Sequence, residues 1–149
     1  MTAHEFQVTI DCADPYVLSS FWADALGYEP AEPPDGWGTW EEWLEAMGVP
    51  KEDWDPGPRP YSALVDPDGR GPRIWFQRVP ESKSVKNRIH LDVNASDGPS
   101  TPLDRRKQQV ETEARRLLEL GARRLAHYED RDHYHVVMAD PEGNEFCLR

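Results

Sequence analysis

Cysteine is scarce in this chain, which has only Cys12 and Cys147 in 149 residues. Two thiols make no disulfide framework. Stability must come from a packed core, which a chain of this length can build as one domain. Both cysteines fall in apolar strand patterns, where buried free thiols are expected. Long hydrophobic runs are missing as well. No stretch approaches the roughly 18 apolar residues of a membrane span. Met1-Thr-Ala-His-Glu5 has neither the basic region nor the apolar stretch of a signal peptide, so the expected address is the cytoplasm. Basic charge is the third deficit: 17 Lys and Arg stand against 28 Asp and Glu, a formal net charge of −11. Phosphate backbones repel such a surface unless its basic residues cluster. The nearest approach to a cluster is Arg115, Arg116, Arg123 and Arg124. They lie among Glu111, Glu113 and Glu119, the mixed face of a solvated helix. Nucleic acid and membrane are thereby set aside as partners, and a small molecule is the expected one.

The sequence does contain a duplication. Gln7-Val-Thr-Ile-Asp-Cys-Ala-Asp14 aligns without a gap on His90-Leu-Asp-Val-Asn-Ala-Ser-Asp97. Each half also closes with a tight turn before a final strand, Asp66-Pro-Asp-Gly69 in the first and Asp140-Pro-Glu-Gly143 in the second. The offset of 83 residues, Gln7 to His90, is too long for a solenoid repeat. It fits one βαβββ unit used twice. The expected fold is therefore α+β, with two βαβββ modules forming a cupped mixed sheet within a single domain, 1–149. Module 1 spans 1–80 and module 2 spans 85–149.

Local signals place the elements. Phe6 to Cys12 alternates as a strand does. Asp14-Pro15 supplies an N-cap and a proline at the first helical position. Leu18, Phe21, Trp22, Ala25 and Leu26 keep helical spacing until Gly27. Tyr61 to Val65 and Arg73 to Val79 read as strands around the Asp66 turn. Arg88 to Asn94 opens the second module. Thr101-Pro102 repeats the cap-plus-proline device before a helix that runs to Leu120, with Val110, Ala114, Leu117 and Leu118 on its buried face. Arg124 to Tyr128, Tyr134 to Ala139 and Glu145 to Leu148 complete the strands.

Residues 29–60 stand apart. They hold seven of the fourteen prolines (30, 33, 34, 50, 56, 58 and 60) and four of the six tryptophans (37, 40, 43 and 54). Thr39-Trp-Glu-Glu42 is a capping box. Trp40, Trp43, Leu44 and Met47 follow as an apolar stripe, which Gly48 ends. The stripe either packs on the core or on a partner subunit, or forms an aromatic lid over a ligand cavity.

The chain resembles the vicinal-oxygen-chelate superfamily, whose members include glyoxalase I, extradiol dioxygenases, fosfomycin resistance enzymes and bleomycin resistance proteins. The residues that carry the resemblance are Ala13-Asp-Pro15, Leu26-Gly-Tyr28, Ile89-His-Leu-Asp-Val93 and the ending Met138-Ala-Asp-Pro-Glu-Gly-Asn-Glu-Phe-Cys-Leu148. That ending looks like the glyoxalase-like branch. The resemblance covers nearly the whole chain, with 29–60 the poorest match. It implies that each module offers two metal-ligand positions, one on its first strand and one on its last. The first-strand positions fall on Gln7 and His90. The last-strand position of module 2, a glutamate in the family, is Cys147 here. Its counterpart in module 1 is Trp75, or Gln77 if the gap is placed differently.

With neither carboxylate present, a hard ion would lack the anionic charge that offsets its dehydration. The base of glyoxalase-type proton transfer is missing too. The expectation is a metal-free cavity lined by Gln7, Trp75, Gln77, His90 and Cys147, with Trp40 and Trp43 nearby and His90 as the catalytic candidate. No cofactor is expected. A Cys/His/Gln trio holding a divalent ion (zinc, nickel, iron or manganese) is the alternative. His133-x-His135 offers a second metal-compatible spacing on one strand face. Asp92 is assigned to the face opposite its neighbours, and Glu145 to the cavity rim. The functions compatible with this pattern are a glyoxalase-like lyase or isomerase and a non-catalytic binding protein of the bleomycin-resistance type. A homodimer is also expected, since such folds often pair.

Overall fold

The computed structural model describes residues 2–149 and divides them into two compact units, one ending at Ser82 and the other spanning Lys83–Arg149. The first contains β1 (Gln7–Cys12), α1 (Pro15–Leu26), β2 (Glu29–Pro30), α2 (Trp40–Ala46), β3 (Ala63–Val65) and β4 (Arg73–Arg78). The second contains β5 (Leu91–Val93), α3 (Leu103–Glu119), β6 (Arg123–Glu129), β7 (Tyr134–Ala139) and β8 (Glu145–Leu148). Among the described residues no helix is long and apolar enough to cross a membrane.

Each unit is a four-stranded mixed sheet with the same internal order. The first runs β1-β4-β3-β2 and the second β5-β8-β7-β6. In both, the opening strand lies parallel to the closing strand, β1 to β4 and β5 to β8, and the remaining pairs are antiparallel. Each parallel pair is possible because a helix crosses over between its strands.

The helices form where local chemistry directs them. The Asp14 carboxylate accepts the Val17 amide at 3.0 Å, Pro15 pre-sets the first turn, and Gly27 ends α1 in the left-handed region at φ 69°. Thr39 and Glu42 cap α2 reciprocally: Thr39 Oγ1 accepts the Glu42 amide at 3.2 Å and Glu42 Oε2 accepts the Thr39 amide at 3.2 Å. The expected cap of α3 is absent. Pro102 itself stands at the cap position and no side chain accepts a first-turn amide. That leaves Thr101 outside the cap position, beyond the place from which a capping side chain serves the first turn. The linker is tied to the helix instead by Asp97 and Gln109, whose side chains bond at 2.8 Å.

The two cores use alternate residues of each sheet. In the first unit Leu18, Phe21, Trp22 and Ala25 of α1 are buried, as are Leu64, Ile74 and Phe76 of the sheet. In the second, Val110, Ala114 and Leu117 of α3 are buried together with Val136, Met138, Phe146 and Leu148. The opposite face of each sheet is left for other residues.

Candidate functional site

The register of β5 against β8 sets Asp92 directly beside Cys147. His90 lies two residues before Asp92, and a period of two returns a side chain to the same face. The structure therefore corrects the expected placing of Asp92: it belongs with His90 and Cys147. His90 Nε2 is 3.3 Å from Asp92 Oδ1, and one ligand atom from each of the three residues lies within 4.8 Å of the others. On its far side the Asp92 carboxylate meets Arg149, with Nε 3.9 Å from Oδ2. Cys147 is half-buried, unlike the fully buried Cys12. Burial, and then the Asp92 carboxylate, push the Cys147 thiol pKa up. It stays protonated at neutral pH and is a poor nucleophile as it stands.

These three residues form part of the lining of a cavity of about 910 Å³ contained in the second unit. The rest of the lining comes from the 94–99 linker, from Arg106 on α3, from Arg149 and from the β6–β7 hairpin. On the hairpin Tyr128 stacks against His135 at 5.3 Å. Asp130 holds the turn by accepting the Asp132 and His133 amides, each at 2.8 Å, and these bonds lower its pKa, the Asp132 amide most. The His133 ring contacts the same carboxylate at 3.1 Å. His133 therefore sits in the turn ahead of β7 and does not share a strand face with His135, as the sequence suggested. Glu145 is drawn elsewhere: its carboxylate meets Lys86 at 2.5 Å, a contact that lowers its pKa, and it is not among the cavity residues.

Gln7, Trp75, Gln77, Trp40 and Trp43 belong to the first unit. There Thr9 pairs with Trp75, which puts Trp75 where the second unit has Cys147. Gln77 lies two residues further on, opposite Asp11. This face is aromatic. Tyr61 stacks on Trp40 with centroids 4.2 Å apart, lies parallel to Trp75 at 6.2 Å, and meets Trp43 edge-on at 6.2 Å. Arg73 donates to Gln7 Oε1 and to Tyr61 Oη. The stripe of α2 thus packs on its own unit, with Leu44 buried and Met47 left exposed. Two residues central to these faces, Tyr61 and Asp92, were missing from the expected site. Asp92 was legible in the strand period; Tyr61 had no local signal.

A family model described as a glyoxalase-like domain matches residues 7–149. The chain belongs to the glyoxalase-like domain family. No curated protein sequence matches it. Among solved structures, this glyoxalase-like chain is similar to a glyoxalase/bleomycin resistance protein/dioxygenase family enzyme from Burkholderia phytofirmans PsJN, with 19% identity over 95% of this chain and 94% of that one and a TM-score of 0.59. It is similar to a possible glyoxalase from Bacillus cereus at 14% identity, covering 99% and 98% of the two chains, TM-score 0.58. It is also similar to a mutant of the genomically encoded fosfomycin resistance protein FosX from Listeria monocytogenes, complexed with Mn(II) and 1S,2S-dihydroxypropylphosphonic acid. There the identity is 10%, the coverage 100% and 90%, and the TM-score 0.62. Likeness at these identities establishes the fold.

The donors fit a metal ion better than sequence comparison suggested. The last strand lacks a carboxylate, and Asp92, two residues after His90, places one beside Cys147. With Cys147 as thiolate the set would offer a divalent ion two anionic donors and one imidazole nitrogen.

Proposed function

We propose that the protein binds and transforms a small, oxygenated, anionic organic molecule in the cavity of its second unit, with His90, Asp92 and Cys147 as the reacting end. The carrying observation is the meeting of that trio with arginines in one cavity. Arg106 donates to two neutral carbonyls, Thr101 O at 2.9 Å and Asp132 O at 3.0 Å, so its positive charge is not cancelled. Arg149 stands beside the trio itself. A ligand carboxylate or phosphonate is attracted to this side. The phosphonic acid in the FosX complex supports the same ligand class.

His90 is the group that moves a proton in the metal-free protein. Its ring is held from one side by Asp92 Oδ1 at 3.3 Å, which fixes its orientation. The protonated Cys147 adds a small, soft wall beside it. A divalent ion held by His90, Asp92 and Cys147 would polarise a ligand oxygen as a Lewis acid.

Ligand-observed NMR against a panel of small carboxylates and phosphonates tests the binding. Incubating the bound members in D2O tests proton transfer through loss of their C–H signals. Arg149→Ala should weaken binding about tenfold, the scale of one charge-assisted contact. His90→Ala should retain most binding and lose exchange. A panel in which nothing binds, or an exchange rate unchanged in His90→Ala, rejects the reading.

A further inference from the structure

We propose that His90, Asp92 and Cys147, all three in the second unit, form a zinc-selective site. The proposal rests on the cavity reading above only for what the ion would act on. The geometry argues for zinc independently. Zinc bonds to imidazole nitrogen and carboxylate oxygen at about 2.1 Å, so a tetrahedral ion needs these two donors about 3.4 Å apart. His90 Nε2 and Asp92 Oδ1 are already 3.3 Å apart. The third donor, Cys147 Sγ, is within 4.8 Å of both ligand atoms. A thiolate–zinc bond of about 2.3 Å requires roughly 3.6 Å, which a side-chain rotation of the order of 1 Å supplies. Arg149 approaches Oδ2, leaving Oδ1 free to face the ion.

The donor set also selects among metals. One nitrogen, one oxygen and one sulfur suit zinc, while manganese and magnesium favour all-oxygen surroundings. The corresponding positions of the first unit carry no such donors. Gln7 and Thr9 bond to each other at 3.4 Å and Trp75 occupies the place of Cys147. A neutral amide, a hydroxyl and an indole offer neither the charge nor the softness. On binding, the Cys147 thiol proton leaves to solvent as the sulfur–metal bond forms, and the Nε2 lone pair is committed to the ion. His90 then ceases to be a base, so the metal-free and loaded proteins differ in how they handle protons.

The test is direct metal binding by the intact chain, read without any assay of turnover. Zinc alone and manganese alone are titrated calorimetrically, and cobalt is titrated with its absorption recorded. The expected result is one zinc per chain, bound at least about 100-fold more tightly than manganese. Cobalt should give tetrahedral visible bands and a near-ultraviolet thiolate charge-transfer band. Cys147→Ser should abolish that charge-transfer band, while Cys12→Ala should keep it. Asp92→Asn should weaken zinc by at least about tenfold. Circular dichroism confirms that each variant is folded. Failure to saturate with zinc, manganese binding as tight as zinc, a charge-transfer band surviving in Cys147→Ser, or zinc affinity unchanged in Asp92→Asn would each overturn the proposal. Zinc bound as described, together with a ligand panel in which no member binds, retains this site and rejects only the preceding reading.

Discussion

The two units share strand order and pairing register, yet they present opposite chemistry on their open faces. Where the second has His90, Asp92 and Cys147, the first has Gln7, Thr9 and Trp75 at the matching register positions. The second face is charged and titratable and lines a cavity; the first is a stack of Trp40, Tyr61 and Trp75 fastened by Arg73. Duplication fixes topology through the buried alternate residues, which must stay apolar in both copies. It leaves the other face free to diverge. Charged, titratable side chains therefore gather on this face of the second unit, while on the first Trp40 of the 29–60 insertion stacks on Tyr61.

The turns before the closing strands offer the strongest way to probe this parallel. Both are held by an aspartate carboxylate that accepts backbone amides. Asp140 Oδ1 takes Glu142 N at 3.0 Å and Asn144 N at 2.9 Å; Asp66 takes Asp68 N at 2.9 Å and Gly71 N at 2.8 Å. Asp140 is fully buried, so removing its carboxylate strands amides away from water. Asp140→Ala should cost about 2–4 kcal/mol, on the scale of unsatisfied buried donors. Because this turn positions β8, it should also weaken zinc through Cys147. Asp66→Ala acts at a more exposed turn and should cost clearly less. Denaturant midpoints of the two variants measure the difference. Equal costs would show that burial of the turn, and not the shared motif, has been misjudged.

A second contrast lies in ionisation. In the second unit Glu111 on α3 receives Arg124 at 2.8 and 2.9 Å and the Tyr134 hydroxyl. Arg124 first, then Tyr134, lower its pKa from 4.5 to about 2. A folded-state value below the unfolded one adds stability that is complete above about pH 4.5 and is lost as pH falls toward 2. Partial exposure screens the pair, so the contribution is about 1–2 kcal/mol, less than the whole shift would convert to. Urea unfolding of wild type and Glu111→Gln should differ by that amount at pH 7 and converge near pH 2. A difference that persists at pH 2 would assign the effect to packing.

How much of this was legible depended on range. Asp14-Pro15, Gly27, the Thr39–Glu42 box and the two turns are signals between near neighbours, and each resolves into the expected bond or backbone angle. The duplication carried the strand order. Thr101-Pro102 misled because the motif appears one residue too early to cap, a distinction of register that composition does not record. Asp92 was misplaced although its spacing from His90 gives the right face. Strand pairing at long range decided the rest: that Trp75, not Gln77, occupies the Cys147 position follows only from Thr9 pairing with Trp75 and Asp92 with Cys147. The grouping of Gln7 and Trp75 with His90 and Cys147 rested on the family pattern and on no local signal; His90 and Cys147 line the second unit's cavity.

The smallest effect tests the first unit from the opposite sign. Asp55, in the proline-rich insertion, has its pKa raised, with burial the largest cause, and its Oδ2 has no hydrogen-bond partner. A folded-state value above the unfolded one means that the group is most favourable when protonated. Its contribution is fully present below the ordinary value of 3.8 and is lost as pH rises through the folded value. At neutral pH the half-buried Asp55 carboxylate is thus a net cost to the first unit, whereas Glu111 is a gain to the second. Asp55→Asn should raise the denaturant midpoint slightly at pH 7 and leave it unchanged at low pH, where the wild-type group is already neutral. Glu111→Gln should move it in the opposite direction at pH 7. Destabilisation by Asp55→Asn at pH 7 would mean that the charge is compensated and that the insertion depends on it.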